Sequence, residues 1–185
     1  MINRISAVAA AAGMFCLVLS SCKPATQTVN IKGDYSMEIP KHMTSTTELN
    51  DDASLQYQDP AKELYVIVID ESKEEFINTF KDLGEYDSTK TAERNYREVQ
   101  LKSMTDNLDL KTQPEIKKQN INGLDAEVAD FRAMAEGIDQ EIYYKFAFVE
   151  GKTNMYMVMT WTLSASKDKY GPEMDAMLNS FKLQK

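Results

Sequence analysis

"EIKKQNINGLDAEVADFRAMA", residues 115–135, decides the fold, because Asn122-Gly123 stands between two extended runs. Both residues tolerate positive φ, and a two-residue turn of this composition is a strong hairpin signal. Glu136-Gly137 then turns into "IDQEIYYKFAFVE" (138–150), and Gly151-Lys152 turns into "TNMYMVMTWTLS" (153–164). Three successive tight turns predict an antiparallel meander. Side chains alternate across a strand, so Tyr143, Tyr144, Phe146, Phe148, Tyr156 and Trp161 are divided between the two faces of that sheet. Most should be core; Trp161, with Tyr143 or Tyr144 at an open end, is the candidate lining of a ligand groove.

On the C-terminal side of the meander the period changes. "SKDKYGPEMDAMLNSFKL" (166–183) places Tyr170, Met174, Met177 or Leu178, and Phe181 on one helical face. Pro172 and Glu173 fit its start, and Lys182 and Lys185 its end. On the N-terminal side, "SKEEFINTFKDL" (72–83) sets Phe76, Phe80 and Leu83 at helical spacing behind Ser72, an N-cap with Glu75 three residues on, and Gly84 closes it. "TAERNYREVQLKSMTDNLDL" (91–110) predicts a longer helix carrying Ala92, Tyr96 and Val99 on one face and running through Met104 and Leu108. Before the helices, "DYSMEIP" (34–40) alternates as a strand that Pro40 ends, and "SLQYQ" (54–58) and "ELYVIVIDE" (63–71) form a strand pair about Asp59-Pro60. The second of that pair is nearly all apolar, as a central strand covered on both faces should be.

The N-terminus bears on where the chain lives. Arg4 precedes an uncharged apolar run from Ile5 to Leu19, a secretory signal too short for a comfortable membrane span. Leu19-Ser20-Ser21-Cys22 resembles the lipobox of bacterial lipoproteins, which implies that residues 1–21 are removed and that Cys22 is diacylated. Two or more acyl chains hold a protein stably on a bilayer. The alternatives are a soluble secreted chain cut near Ser21 with Cys22 free, and an uncleaved anchor. Residues 22–30 are then the lipidated cysteine and a polar tether, and residues 31–185 one domain. Lys23 is not the aspartate that holds enteric lipoproteins in the inner membrane, so the expected location is the outer membrane, facing the periplasm.

Composition narrows the function classes. Of two cysteines, Cys16 lies in the signal and Cys22 carries lipid, which leaves no thiol for a disulfide, a metal or a nucleophile. Setting Arg4 aside, 20 Lys and Arg stand against 29 Asp and Glu, a net charge of −9 that disfavours nucleic acid as a partner. With His42 the single histidine, a Ser-His-Asp triad or a histidine metal site has almost nothing to use, and His42 itself is expected as a solvated loop residue. Ser164–Lys167 and Ser166–Lys169 have the spacing by which a lysine activates a serine, but the companion motifs are absent, so they read as a polar lead-in to the last helix. Met155, Met157 and Met159 share one strand face and are soft Cu(I)-type donors. Alternate strand residues sit roughly 6.5–7 Å apart, too far for three sulfurs on one ion, so core packing beneath the last helix is the expectation. Asp51-Asp52 and Asp70, Glu71, Glu74 and Glu75 lack the Ca²⁺-loop pattern and read as a solvated rim; no cofactor and no metal are expected.

The "YSMEIP" strand, the "LQYQ…ELYVIVIDE" pair, two central helices, the "NGLDA" hairpin into a meander and a last helix ending "MLNSFK" together resemble the PsbP-like α/β/α sandwich. PsbP of photosystem II, a Ran-binding nuclear import factor and families of bacterial lipoproteins share that fold. The resemblance spans roughly residues 30 to 183. It implies an α+β domain, an antiparallel sheet with helices on both faces, and a non-enzymatic binding or assembly role beside an envelope protein partner. It carries no functional residue by position, because members share no single ligand. A small-ligand or metal carrier is the alternative, and an enzyme fits least.

Overall fold

The computed structural model describes residues 25–31 and 33–184. Eleven strands and three helices follow in the order β1 (Thr26–Ile31), β2 (Tyr35–Pro40), β3 (Thr44–Ser45), β4 (Ala53–Asp59), β5 (Leu64–Ser72), α1 (Lys73–Asp82), α2 (Ala92–Thr105), β6 (Leu108–Leu110), β7 (Glu115–Ile121), β8 (Leu124–Ala135), β9 (Ile142–Glu150), β10 (Asn154–Leu163), α3 (Lys167–Ser180) and β11 (Lys182–Leu183). The main sheet runs β3-β4-β5-β10-β9-β8-β6, with β7 also on β8, and every pairing is antiparallel. A second sheet, β1-β2-β11, packs with α3 over one face of the main sheet, and α1 and α2 cover the other. The expected sandwich with helices on both faces is therefore present.

The meander forms where its turns place it. Ile121 pairs with Leu124 around Asn122 (φ 51°) and Gly123 (φ 89°), the two positive φ values of a type I′ turn. The second connection is a six-residue loop, 136–141, rather than a tight turn. Strand β5 lies between β4 and β10, which explains its apolar run. The Ser72 hydroxyl accepts from the Glu75 amide at 3.3 Å and caps α1.

Four further expectations, all about element bounds, need correction. Strand order begins at Thr26, inside the stretch read as tether, because Thr26 and Thr28 donate to Glu38 on one face while Val29 and Ile31 pack on the core. Helix α2 stops at Thr105, and Leu108 belongs to β6 opposite Ala135; a strand residue happens to continue the helical spacing. Helix α3 starts at Lys167 and contains Pro172. The proline leaves the Asp168 carbonyl without its i+4 donor, and Gly171 before it lacks the Cβ that would clash with the ring. Buried Tyr170, Met174, Met177 and Leu178 hold that helix on the sheet regardless. Lys182 and Leu183 then form β11 on β2, so Lys182 is not a helix terminus.

Candidate functional site

Strands β5 and β10 run antiparallel with Tyr65 opposite Trp161, so the two rings share the α1/α2 face at one end of the sheet. They stack with centroids 5.1 Å apart and planes 10° apart. Leu49, Ile138, Ile142 and Leu163 join them around a recess of about 280 Å³. Glu63 stands at its rim with φ 50°, a left-handed conformation disfavoured for a residue with a Cβ. The turn is held there by Lys62 N donating to Asp59 O (3.0 Å) and Glu63 N donating to Pro60 O (3.3 Å). The Tyr65 hydroxyl donates to Glu63 Oε2 at 2.7 Å. Burial, helped by that carboxylate, pushes the Tyr65 phenol up to about 12. Loop 136–141 supplies Ile138, 44% exposed, as the opposite wall.

Of the residues read as a groove, Trp161 lines this recess. Tyr144 pairs with Trp161 on the same face but is buried against Phe131, centroids 5.3 Å apart. Tyr143 points to the other face, beneath α3, with Lys167 Nζ 4.5 Å from its ring centroid. Neighbouring strand residues face opposite ways, so Tyr143 and Tyr144 cannot line one groove. Cys22 lies outside the described residues.

Met155, Met157 and Met159 are core residues, but they pack under α1 and α2 with Phe76 and Tyr96, not under the last helix; Tyr156 and Val158 occupy that side. His42 is not a freely solvated residue: its Nδ1 lies 2.9 Å from Asp59 and its Nε2 2.8 Å from Glu173, tying β4 to α3. Lys167 and Lys169 lie over the rings of Tyr143 and Tyr170. Glu71 accepts from Gln100 Nε2 at 2.7 Å, and burial raises its pKa. Among the described residues no three His, Cys, Asp or Glu side chains are grouped to hold a metal.

A polar cluster on the α2–β8 seam has no sequence signal. Arg97 Nε donates to Glu127 Oε2 at 2.7 Å, and Glu127 is 5% exposed. Beside it Glu93 has one carboxylate oxygen buried without a hydrogen-bond partner. Burial first, then the charges of Glu127, Asp125 and Glu150, pushes the Glu93 carboxyl up to about 7. Helical spacing puts Glu93 and Arg97 on one face of α2, but nothing in the sequence says that β8 lies opposite.

The layered arrangement is the PsbP-like fold. The solution structure of cyanobacterial PsbP (CyanoP) from Synechocystis sp. PCC 6803 is similar with a TM-score of 0.56 and 12% identity, over 89% of this chain and 96% of that one. LpqN of Mycobacterium tuberculosis, described as involved in cell envelope biogenesis, is similar with a TM-score of 0.52 and 9% identity, over 87% of this chain and 91% of that one. No protein-family model and no curated protein matches the chain by sequence.

Proposed function

We propose that this protein is a lipid-anchored envelope protein whose PsbP-like domain is a non-enzymatic accessory, binding or helping to assemble another envelope component. The observation that carries the reading is the position of the recess relative to the point where the described chain enters the domain. Ala25 O accepts from Lys41 N at 2.8 Å, His42 contacts Asp59, and Asp59 pairs with Leu64, one residue before Tyr65. The chain thus enters the domain at the same end that carries Trp161. Between Cys22 and Thr26 a fully extended chain spans at most about 14 Å. A lipid on Cys22 therefore keeps this end at the membrane surface, and Lys23 favours the outer membrane's periplasmic face. The similarity to LpqN supports an envelope role. The exposed apolar wall that Ile138 gives the recess supports a protein contact.

Mild crosslinking of the natively lipidated protein in its own cells, followed by affinity purification and mass spectrometry with a Cys22→Ala control, tests the reading. One envelope protein that copurifies with the lipidated form and disappears with the control is the expected result. Absence of any copurifying protein with the lipidated form would remove the accessory role.

A further inference from the structure

We propose that the Trp161 recess receives an arginine side chain, carried beside a bulky apolar residue on a segment of the partner polypeptide. This rests on the accessory reading above. Trp161 and Tyr65 stack on each other, and the outer face of such a stack attracts a cation, a guanidinium better than an ammonium. Glu63 stands at the rim with its Oε2 held by Tyr65, and its other oxygen has no hydrogen bond from the described residues. A charge-assisted bond from a guanidinium completes that carboxylate. The apolar walls suit the arginine stem and the neighbouring residue.

The charges around the mouth point the same way. Glu48 adjoins Leu49, and Glu136 and Asp139 flank Ile138 in the exposed loop. Among the described residues no lysine or arginine lines the recess, and Lys62, next to Glu63, is turned to Asp59 at 3.5 Å. The rim left over is acidic, which disfavours anionic lipid headgroups and favours a basic segment. The Tyr65 hydroxyl holds the Glu63 carboxylate in place before the partner arrives, so less ordering is needed on binding.

Trp161 is the single tryptophan, so its fluorescence reports on this recess alone. Full-length protein in nonionic detergent is titrated with a capped Gly-Leu-Arg-Leu-Gly peptide and with its Glu-for-Arg counterpart. The expected result is a saturable change with the arginine peptide, weakened about tenfold or more by Glu63→Gln, and further weakened by salt. Glu63→Gln keeps an acceptor for Tyr65 and removes only the charge. Equal binding of the two peptides, or no saturable change up to millimolar arginine peptide, would overturn the proposal. So would a Trp161 blue shift of the Cys22→Ala protein on phosphatidylglycerol vesicles without peptide, since it would assign the recess to the bilayer. A negative titration together with a copurifying partner removes the recess but leaves the accessory reading. A positive titration with nothing copurifying does the reverse.

Discussion

Replacing Arg97 by methionine should cost about 3 kcal/mol of folding stability. Arg97 Nε lies 2.7 Å from Glu127 Oε2, and the two side chains are 14% and 6% exposed. Methionine fills much of the same volume and removes the charge, so the buried Glu127 carboxylate loses its hydrogen-bonded guanidinium beside a second carboxyl on Glu93, with Lys118 across the β7–β8 pair as the cation left nearby. Breaking one partner of a buried pair costs roughly 3–5 kcal/mol, and the residual exposure of Arg97 admits enough water to place this case at the lower end. A domain of this size has a total stability of about 5–15 kcal/mol, so the variant remains folded. Urea unfolding of full-length protein in detergent reads the change; with an m-value of about 2 kcal/mol/M the midpoint falls by about 1.5 M. The double variant Arg97→Met/Glu127→Leu should recover most of the loss, because a pair replaced by apolar residues is often neutral. A single-variant loss below about 1 kcal/mol would refute the reasoning and mean that water screens the pair as it does at a surface.

Three further outcomes follow from the same geometry. Gly151→Ala places a Cβ 2.7 Å from Tyr156 Cε2 and 2.9 Å from the Asn154 carbonyl, which itself accepts from Gly151 N, so a loss of about 1–3 kcal/mol is expected in thermal melts. Asn122→Ala removes the Nδ2 donations to Asn179 O (3.0 Å) and Phe181 O (2.8 Å) and puts alanine at φ 51°; a loss of about 2 kcal/mol is expected, with Asn122→Gly losing less because it relieves the backbone. For Glu93, folding holds a proton that the unfolded chain releases, so its contribution is fully present below about pH 4.5 and is lost as pH rises through about 7. Glu93→Gln should flatten the decline in unfolding midpoint between those limits; an unchanged pH slope would show that Glu93 does not hold the proton.

Much of the layered fold was legible because its signals are local. Asn122-Gly123 fixes a turn whatever surrounds it, and the spacing of Tyr170, Met174 and Phe181 marks a helix face without knowledge of its partner. What stayed hidden depends on pairing. Alternation separates Tyr143 from Tyr144, but only the register of β5 on β10 puts Tyr65 against Trp161, 96 residues apart in the chain. The same gap hides which helix covers the methionines of β10: period 2 gives two faces and does not say which one α3 covers. Strand β1 is hidden for a different reason. An edge strand with one wet face has the composition of a linker, and the bonds from Thr26 and Thr28 to Glu38 that make it a strand are long-range.

A partner docked at the Trp161 end of the domain, beside the lipid proposed on Cys22, would lie within reach of a probe on the loop that carries Ile138. A benzophenone amino acid placed at Ile138 and irradiated in the native cells tests this docking directly, with the same probe at Leu83, 64% exposed on the α1 C-terminus, as the control. A single discrete adduct from Ile138 that is absent from Leu83, and that is lost with Cys22→Ala, is the expected result. An adduct from Leu83 and none from Ile138 would contradict it.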